Sequence, residues 1–145
     1  MTDAELLNRV ANRPEILRSI APGWSAVDLS LYTLHPRTYL FGDDDGVVLY
    51  VMRGHRTWDV HFLLTDALRG KNAIQRIKES LETMFTTHGA LCIFGSTPRD
   101  NRACRAMGRA LGARPIGVSI DYFGRASLDY VLERDQWIGL PPQEV

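Results

Sequence analysis

The chain is organised around one stretch, from Thr57 to Met84: TWDVHFLLTDALRGKNAIQRIKESLETM. Apolar and polar residues alternate from Thr57 to Leu64, which predicts a strand with Asp59, His61 and Leu63 on one face. After Arg69-Gly70-Lys71, apolar residues recur three and four positions apart, which predicts an amphipathic helix. A strand that leads into a helix presents backbone N–H groups and the positive end of the helix dipole to an anion. The stretch therefore predicts an anion-binding junction.

Composition limits the functional classes open to the chain. At 145 residues we expect one domain, 1–145, and equal numbers of basic and acidic residues (17 each) predict no nucleic-acid-binding surface. No apolar run has the length of a membrane span, and the N-terminus lacks a signal-peptide pattern, so we expect no membrane association. Cys92 lies in an apolar, strand-like run and Cys104 in a helix-like run, which indicates buried thiols in a reducing, cytoplasmic compartment. The His, Cys and carboxylate residues show no zinc spacing, so no metal is expected.

The segments on either side of this stretch predict the rest of the architecture. An N-terminal helical segment, 1–22, is divided by Pro14, and strands follow from Trp24 to Arg53. The first of those strands is predicted from the alternation of Val27, Leu29 and Leu31, and the next two form a hairpin around the turn 42–46. The three aspartates of that turn indicate a solvated loop, because calcium loops spread their ligands over a longer segment.

After the central helix we expect a short strand at 91–94, a turn at 95–98 and a helix ending near Leu111. A final hairpin is predicted at 116–132, followed by an irregular tail at 139–142. This order predicts an α/β (α+β) fold with a mixed, mostly antiparallel sheet flanked by helices.

Two motifs then point to a family. The first motif is R/Q-x-x-G-x-G/A, directly after a strand. Arg69 matches its first position, and Arg69-Gly70-Lys71 matches the common R-G-K variant. Asn72 stands at the first glycine position and Ile74 at the final small position. The second, N-x-x-A-x-x-L-Y-x-x-L-G-F, is matched from Asn101 to Leu111-Gly112, with Gly108 in place of the tyrosine. Over residues 24–135 the chain resembles the GNAT superfamily of acyl-CoA-dependent N-acetyltransferases. Because it lacks glycines of the first motif and has an added N-terminal helical segment, the chain resembles divergent members of the family, such as GNAT-like proteins encoded by bacteriophages.

The resemblance implies a cosubstrate, acetyl-CoA, and residues that hold it. Backbone of the strand would bind the pantetheine arm, the loop and helix start would bind the pyrophosphate, and the second motif's asparagine would contact the pantetheine. These residues are Phe62, Leu63 and Leu64 for the strand, Arg69, Gly70, Lys71, Asn72 and Ala73 for the loop, and Asn101 for the second motif. The simpler alternatives are an ordinary polar loop that begins a helix, and a helix N-cap at Asn101.

The resemblance also implies a chemistry. An amine attacks the thioester directly in a ternary complex, so a base must accept its proton, and Asp59 and His61 lie on the strand where the family often places a carboxylate base. They are alternatively a structural pair. Because Gly108 replaces the tyrosine that often protonates the thiolate, Tyr122 or Tyr130 would supply the hydroxyl, unless each is simply a strand aromatic.

The sequence therefore predicts an N-acetyltransferase, with a catalytically inactive GNAT-fold binding or structural module as the alternative. The acceptor amine, on a small molecule or a protein, is left open. The family's frequent pairing of C-terminal strand edges implies a possible homodimer. The arginines of the second motif, Arg102, Arg105 and Arg109, form a basic stripe that is either solvated or in contact with the adenosine 3′-phosphate or an acidic partner.

Overall fold

The computed structural model describes residues 1–139. The helices are α1 (Asp3–Ala11), α2 (Pro14–Ile20), a 3₁₀ helix (Ser30–Leu34), α3 (Gly70–Thr86), α4 (Arg102–Ala110) and α5 (Arg134–Gly139). The strands are β1 (Tyr39–Asp43), β2 (Gly46–Gly54), β3 (Thr57–Leu64), β4 (Cys92–Pro98), β5 (Arg114–Ile120) and β6 (Ala126–Glu133). The six strands form one sheet in the order β1-β2-β3-β4-β6-β5, in which only β3 and β4 are parallel. The mixed, mostly antiparallel sheet predicted from the sequence is confirmed.

Helices cover both faces of this sheet. Trp58 and Tyr50 point to one face and pack with the apolar side of α3, including Ile77 and Phe85. The Tyr50 hydroxyl lies 2.7 Å from the Ser80 hydroxyl, so a buried hydrogen bond ties α3 to β2. Burial raises the pKa of Tyr50, which therefore stays protonated.

The N-terminal helices cover the opposite face. Leu7 and Val10 of α1 pack there with Leu49 and Leu63, as expected for the alternate residues of two strands. Thr2 and Glu5 form the capping box that their spacing predicts. Pro14 begins α2 at its first helical position, as expected.

The strand predicted from Val27, Leu29 and Leu31 is wrong. Residues 24–29 are irregular and the 3₁₀ helix follows, which leaves Leu31 80% exposed. Side-chain amides of α1 and its C-cap residue, rather than a neighbouring strand, bind this backbone: the N–H of Val27 donates to Asn12 Oδ1 at 2.8 Å, and the N–H of Leu29 donates to Asn8 Oδ1 at 2.7 Å. The alternating pattern correctly marks Val27 and Leu29 as residues that face the core. Their backbone N–H groups, however, are hydrogen-bonded by asparagine side chains and not by a second strand.

The turn predicted at 95–98 is also wrong, because β4 continues through Pro98. Every residue of β4 is paired with β6, from Cys92 opposite Glu133 to Pro98 opposite Ser127. Long-range pairing thus overrides the local turn tendency of Gly95-Ser96-Thr97-Pro98. Helix α5 was not predicted, and most of the expected irregular tail, from residue 140 onward, lies outside the described residues.

Candidate functional site

The sheet opens between its two parallel strands. β3 and β4 are paired over only three positions, from Thr57 opposite Cys92 to Asp59 opposite Phe94. Beyond these pairs β3 continues to Leu64 and β4 to Pro98 without pairing to each other. Two strands that begin together and then separate leave a V-shaped cleft, whose walls carry backbone N–H and C=O groups free for a ligand.

A groove of about 690 Å³ runs through this cleft. Its lining comes from both faces of the sheet: Trp24, Val27 and Leu29 from the α1–α2 side, and Cys104, Gly108 and Leu111 from the α4 side. The groove therefore connects the two faces through the gap between β3 and β4. Two ligands that entered the groove from opposite faces would meet at the sheet.

The predicted pantetheine-binding residues are mostly placed along this groove. Phe62, Leu63 and Asn101 line it, whereas Leu64 lies beyond the lining and pairs with Gly46 of β2. Asn101 caps α4, since its Oδ1 accepts from the Cys104 N–H at 3.1 Å. Within residues 1–139 its Nδ2 makes no hydrogen bond, so the cap leaves this donor available.

The predicted pyrophosphate loop, Arg69 to Ala73, lies at the start of α3 and outside the groove lining. Gly70 has φ +60° and open space around it, which suits the close approach of a ligand to the backbone. Arg69, the N-cap residue, makes no side-chain cap and instead forms an exposed ion pair with Asp66. No acidic residue occupies the first turn of α3, so the positive end of this helix is open to an anion.

His61 and Asp59 lie on the same face of β3 but have different surroundings. The His61 ring faces the groove and is exposed there, yet the surrounding protein displaces much of its bulk hydration. This desolvation lowers the pKa of His61 below its ordinary value, although the charge of Asp59 acts in the opposite direction. Asp59 lies outside the groove lining and pairs with Arg53 at 3.6 Å; among the described residues it makes no hydrogen bond to His61.

Tyr122 is placed at the mouth of the groove, in the β5–β6 turn. It is 86% exposed and forms an edge-to-face aromatic cluster with Trp24 and Phe123, at centroid distances of 6.4 and 5.1 Å. Beside it, Asp121 forms a 2.7 Å ion pair with Arg125. Partial desolvation raises the pKa of Asp121, but hydrogen bonds from Arg125 outweigh it and lower that pKa overall.

A second tyrosine lies deeper. Tyr130 of β6 lines the groove. If Gly108 of α4 carried a side chain, its Cβ atom would lie 4.0 Å from the Tyr130 ring. The missing side chain of α4 and the ring from β6 thus share one region. Of the two tyrosines that the sequence offers, Tyr130 lies deeper because the antiparallel pairing of β6 with β4 brings residue 130 opposite Gly95 in the groove wall.

The two cysteines do not have the lowered pKa of a reactive thiol. Cys92 and Cys104 are half-buried rather than fully buried, and desolvation raises the pKa of both thiols, so both stay protonated at neutral pH.

Within the described part of the chain no three His, Cys, Asp or Glu residues are grouped to hold a metal ion. In residues 1–139 no helix is long and apolar enough to cross a membrane.

No protein-family model matches the sequence, and no curated protein matches it in sequence. Solved structures do match the fold. The ribosomal-protein-S5-alanine acetyltransferase from Vibrio fischeri has a TM-score of 0.63 and 20% identity, over 79% of this chain and 73% of that chain. A Chromobacterium violaceum protein, described as a probable acetyltransferase of the GNAT family, has a TM-score of 0.65 and 19% identity, over 77% and 67%.

The chain has the GNAT fold. Mycobacterium smegmatis RimJ, in complex with CoA-disulfide, also matches it, with a TM-score of 0.64 and 18% identity over 74% of this chain and 58% of that chain. The GNAT fold that the two motifs predicted is therefore confirmed. At these identities the likeness concerns the backbone arrangement alone.

Proposed function

We propose that this protein is an acetyl-CoA-dependent N-acetyltransferase that moves an acetyl group to an amine within a ternary complex. The observation that supports the proposal most directly is the open cleft between β3 and β4. Strands of a sheet normally pair along their full length, because unpaired backbone groups are costly once water is excluded. A cleft kept open in the centre of a sheet is suited to an extended ligand with amide groups.

The pantetheine arm of acetyl-CoA has this chemistry. Its amides would pair with the backbone of β3 from Val60 to Leu64, while the Asn101 Nδ2 would donate from the start of α4. Its pyrophosphate would bind the open N-terminus of α3, where Gly70 permits close approach. Arg69 would exchange its exposed pairing with Asp66 for a contact to phosphate, at low energetic cost.

The chemical step needs a base and an acid. The amine nitrogen attacks the thioester carbonyl carbon, the C–S bond breaks, and the proton of the amine passes to His61 directly or through water. A lowered pKa keeps the His61 imidazole neutral, and so able to accept a proton, at neutral pH. The departing thiolate would take its proton from the Tyr130 hydroxyl, which lines the groove beside Gly108.

The acceptor would enter from the α1–α2 side of the groove, next to Trp24 and the β5–β6 turn. The residues of that side indicate which amines would fit. Aromatic and aliphatic side chains dominate there, and the carboxylate of Asp121 is already neutralised by Arg125. A polyamine carries several positive charges and needs uncompensated carboxylates, which this wall lacks among the described residues. We therefore expect a primary amine attached to an apolar group, such as the N-terminus of a peptide, to be a better acceptor than spermidine.

Calorimetric titration with acetyl-CoA tests the proposal. Wild-type protein should bind, and Gly70→Glu should abolish binding, because it places a carboxylate where the pyrophosphate would lie. Gly70→Asn is the matched control: at φ +60° any side chain is strained, but asparagine tolerates this conformation best and adds no charge. Equal affinities for the two variants would show that this loop is not the phosphate site.

A transfer assay then separates the enzyme from the inactive alternative. Release of free CoA in the presence of a panel of primary amines would support the transferase. Tight binding of acetyl-CoA without transfer to any amine would favour a GNAT-fold binding module, for which the glycine at position 108 is the motivating observation. No binding at millimolar acetyl-CoA would overturn both the cofactor assignment and the proposed reaction.

A further inference from the structure

A second cavity, of about 700 Å³, lies beside the groove and is lined mainly by arginines. Its wall is formed by Arg99, Asp100, Arg102, Arg105, Arg125 and Ala126. Four arginines and a single acidic residue thus line one cavity. Because the formal charge of the whole chain is zero, this arginine pocket is a local concentration of positive charge.

Most of this charge is not neutralised by the protein. Arg125 is paired with Asp121 at 2.7 Å, but across residues 1–139 no carboxylate lies within ion-pair distance of Arg99, Arg102 or Arg105. The Nε of Arg105 is buried and has no hydrogen-bond acceptor. A buried charged donor without a partner destabilises the free protein, and an oxygen-rich anion would remove that penalty.

The backbone fixes where these arginines lie relative to one another. The N–H of Arg99 donates to the Ala126 carbonyl at 2.9 Å, which fixes the residue after β4 against the start of β6. Arg102 and Arg105 are three positions apart in α4 and therefore project from the same side of that helix. Arg125 lines the arginine pocket and the groove alike, so the two cavities are neighbours.

We propose that the arginine pocket binds a phosphate or carboxylate group of a ligand that lies in the groove. Guanidinium groups bind both anions through paired, charge-assisted hydrogen bonds. The anion has two possible sources, the 3′-phosphate of CoA or an acidic group on the acceptor. Anion binding in the pocket does not itself depend on acetyl transfer.

The first experiment uses inorganic phosphate as the probe, with amide NMR shifts of α4 as the readout. Wild-type protein should show saturable shifts, and the double variant Arg102→Gln, Arg105→Gln should weaken the affinity at least about tenfold, as loss of charged hydrogen bonds implies. Arg109→Gln is the matched control, because Arg109 lies on the same helix but outside the pocket lining, and it should bind within about twofold of wild type.

Two results would overturn the proposal. One is the absence of saturable shifts in the wild-type protein; the other is equal weakening in the double variant and in Arg109→Gln, which would reflect net charge alone. Arg99→Gln, in the segment before α4, provides a further variant should the double substitution disturb the helix. Its affinity for phosphate should also fall, whereas wild-type affinity would contradict the proposal.

The second experiment identifies the source of the anion. Acetyl-CoA is compared with its 3′-dephospho form, and a neutral amine acceptor with a carboxylate-bearing amine of similar size. If the cofactor supplies the anion, loss of the 3′-phosphate weakens binding about tenfold in wild type and has no effect in the double variant. If the acceptor supplies it, the double variant raises KM for the acidic amine only.

If neither pair differs between wild type and double variant, no ligand group occupies the pocket and the proposal is overturned. Failure of the proposed function is distinguishable from failure of the arginine pocket. Phosphate binding that depends on Arg102 and Arg105, together with no acetyl-CoA binding, would leave the arginine pocket standing and remove the acetyltransferase.

Discussion

Gly108 leaves space in α4 at the place where Tyr130 of β6 enters the groove wall. If Tyr130 protonates the departing thiolate, Tyr130→Phe should lower kcat about a hundredfold, the usual scale for loss of a general acid, with little change in KM. Tyr122→Phe should leave kcat nearly unchanged, because Tyr122 lies at the solvent-exposed mouth. Steady-state kinetics of the two variants measures this. The reverse pattern would assign the role of general acid to Tyr122, the other tyrosine that the sequence offers.

His61 gives a prediction about pH. Its neutral form accepts the proton, and desolvation lowers its pKa, so kcat should hold at neutral pH and decline only below the ordinary histidine value of 6.5. His61→Gln should lower kcat about a hundredfold and remove this acid limb. His55→Gln, an exposed histidine outside the groove, is the control. A full acid limb in His61→Gln would assign the titration to another group.

At the scale of elements, α4 begins at a residue with two separable functions. The Oδ1 of Asn101 caps the helix, while its Nδ2 is available for the cofactor. Asn101→Ser should keep the free energy of unfolding within about 0.5 kcal/mol of wild type, because serine is an equally good cap. It should nevertheless weaken acetyl-CoA binding about tenfold, because the amide donor is lost. Chemical denaturation and calorimetry measure the two effects.

Asn101→Ala completes the comparison. It removes the cap as well as the donor, so it should lower the free energy of unfolding by about 1 kcal/mol. Wild-type acetyl-CoA affinity in Asn101→Ser would mean that the asparagine acts only as a cap. The simpler reading from the sequence would then account for this residue.

At the scale of the whole molecule, β5 leaves an edge of the sheet open. All seven of its residues are exposed, including Val118 at 66% and Ile120 at 68%. An unpaired edge with exposed apolar side chains is prone to pair with another chain. We therefore expect the homodimer that the sequence suggested to form through β5.

Val118→Lys should convert that dimer into a monomer, because it introduces charge into an apolar strand contact. Leu31→Lys is the control, since Leu31 is even more exposed but lies on the 3₁₀ helix, away from β5. Sedimentation at tens of micromolar protein measures the mass. A monomeric wild-type protein, or dissociation by both variants alike, would contradict this interface.

The elements that were predicted correctly are those with strong local patterns. The α3 helix follows from its three- and four-residue apolar spacing, and the hairpin of β1 and β2 follows from a turn between two apolar runs. The misplaced strand at Val27 shows the limit of such patterns. An alternation indicates which side chains face the core. It does not indicate that the backbone N–H groups are hydrogen-bonded by asparagine side chains of α1 and its C-cap.

The order of most elements, the sheet type and the polar junction before α3 thus follow from local sequence patterns, because propensity and periodicity act between residues close in the chain. Tertiary packing sets how β3 and β4 separate after Asp59, brings Tyr130 close to Gly108, and places arginines from α4 and the β5–β6 turn around one cavity. These are contacts between residues distant in the chain. Sheet pairing and helix packing create them, so no local pattern encodes them.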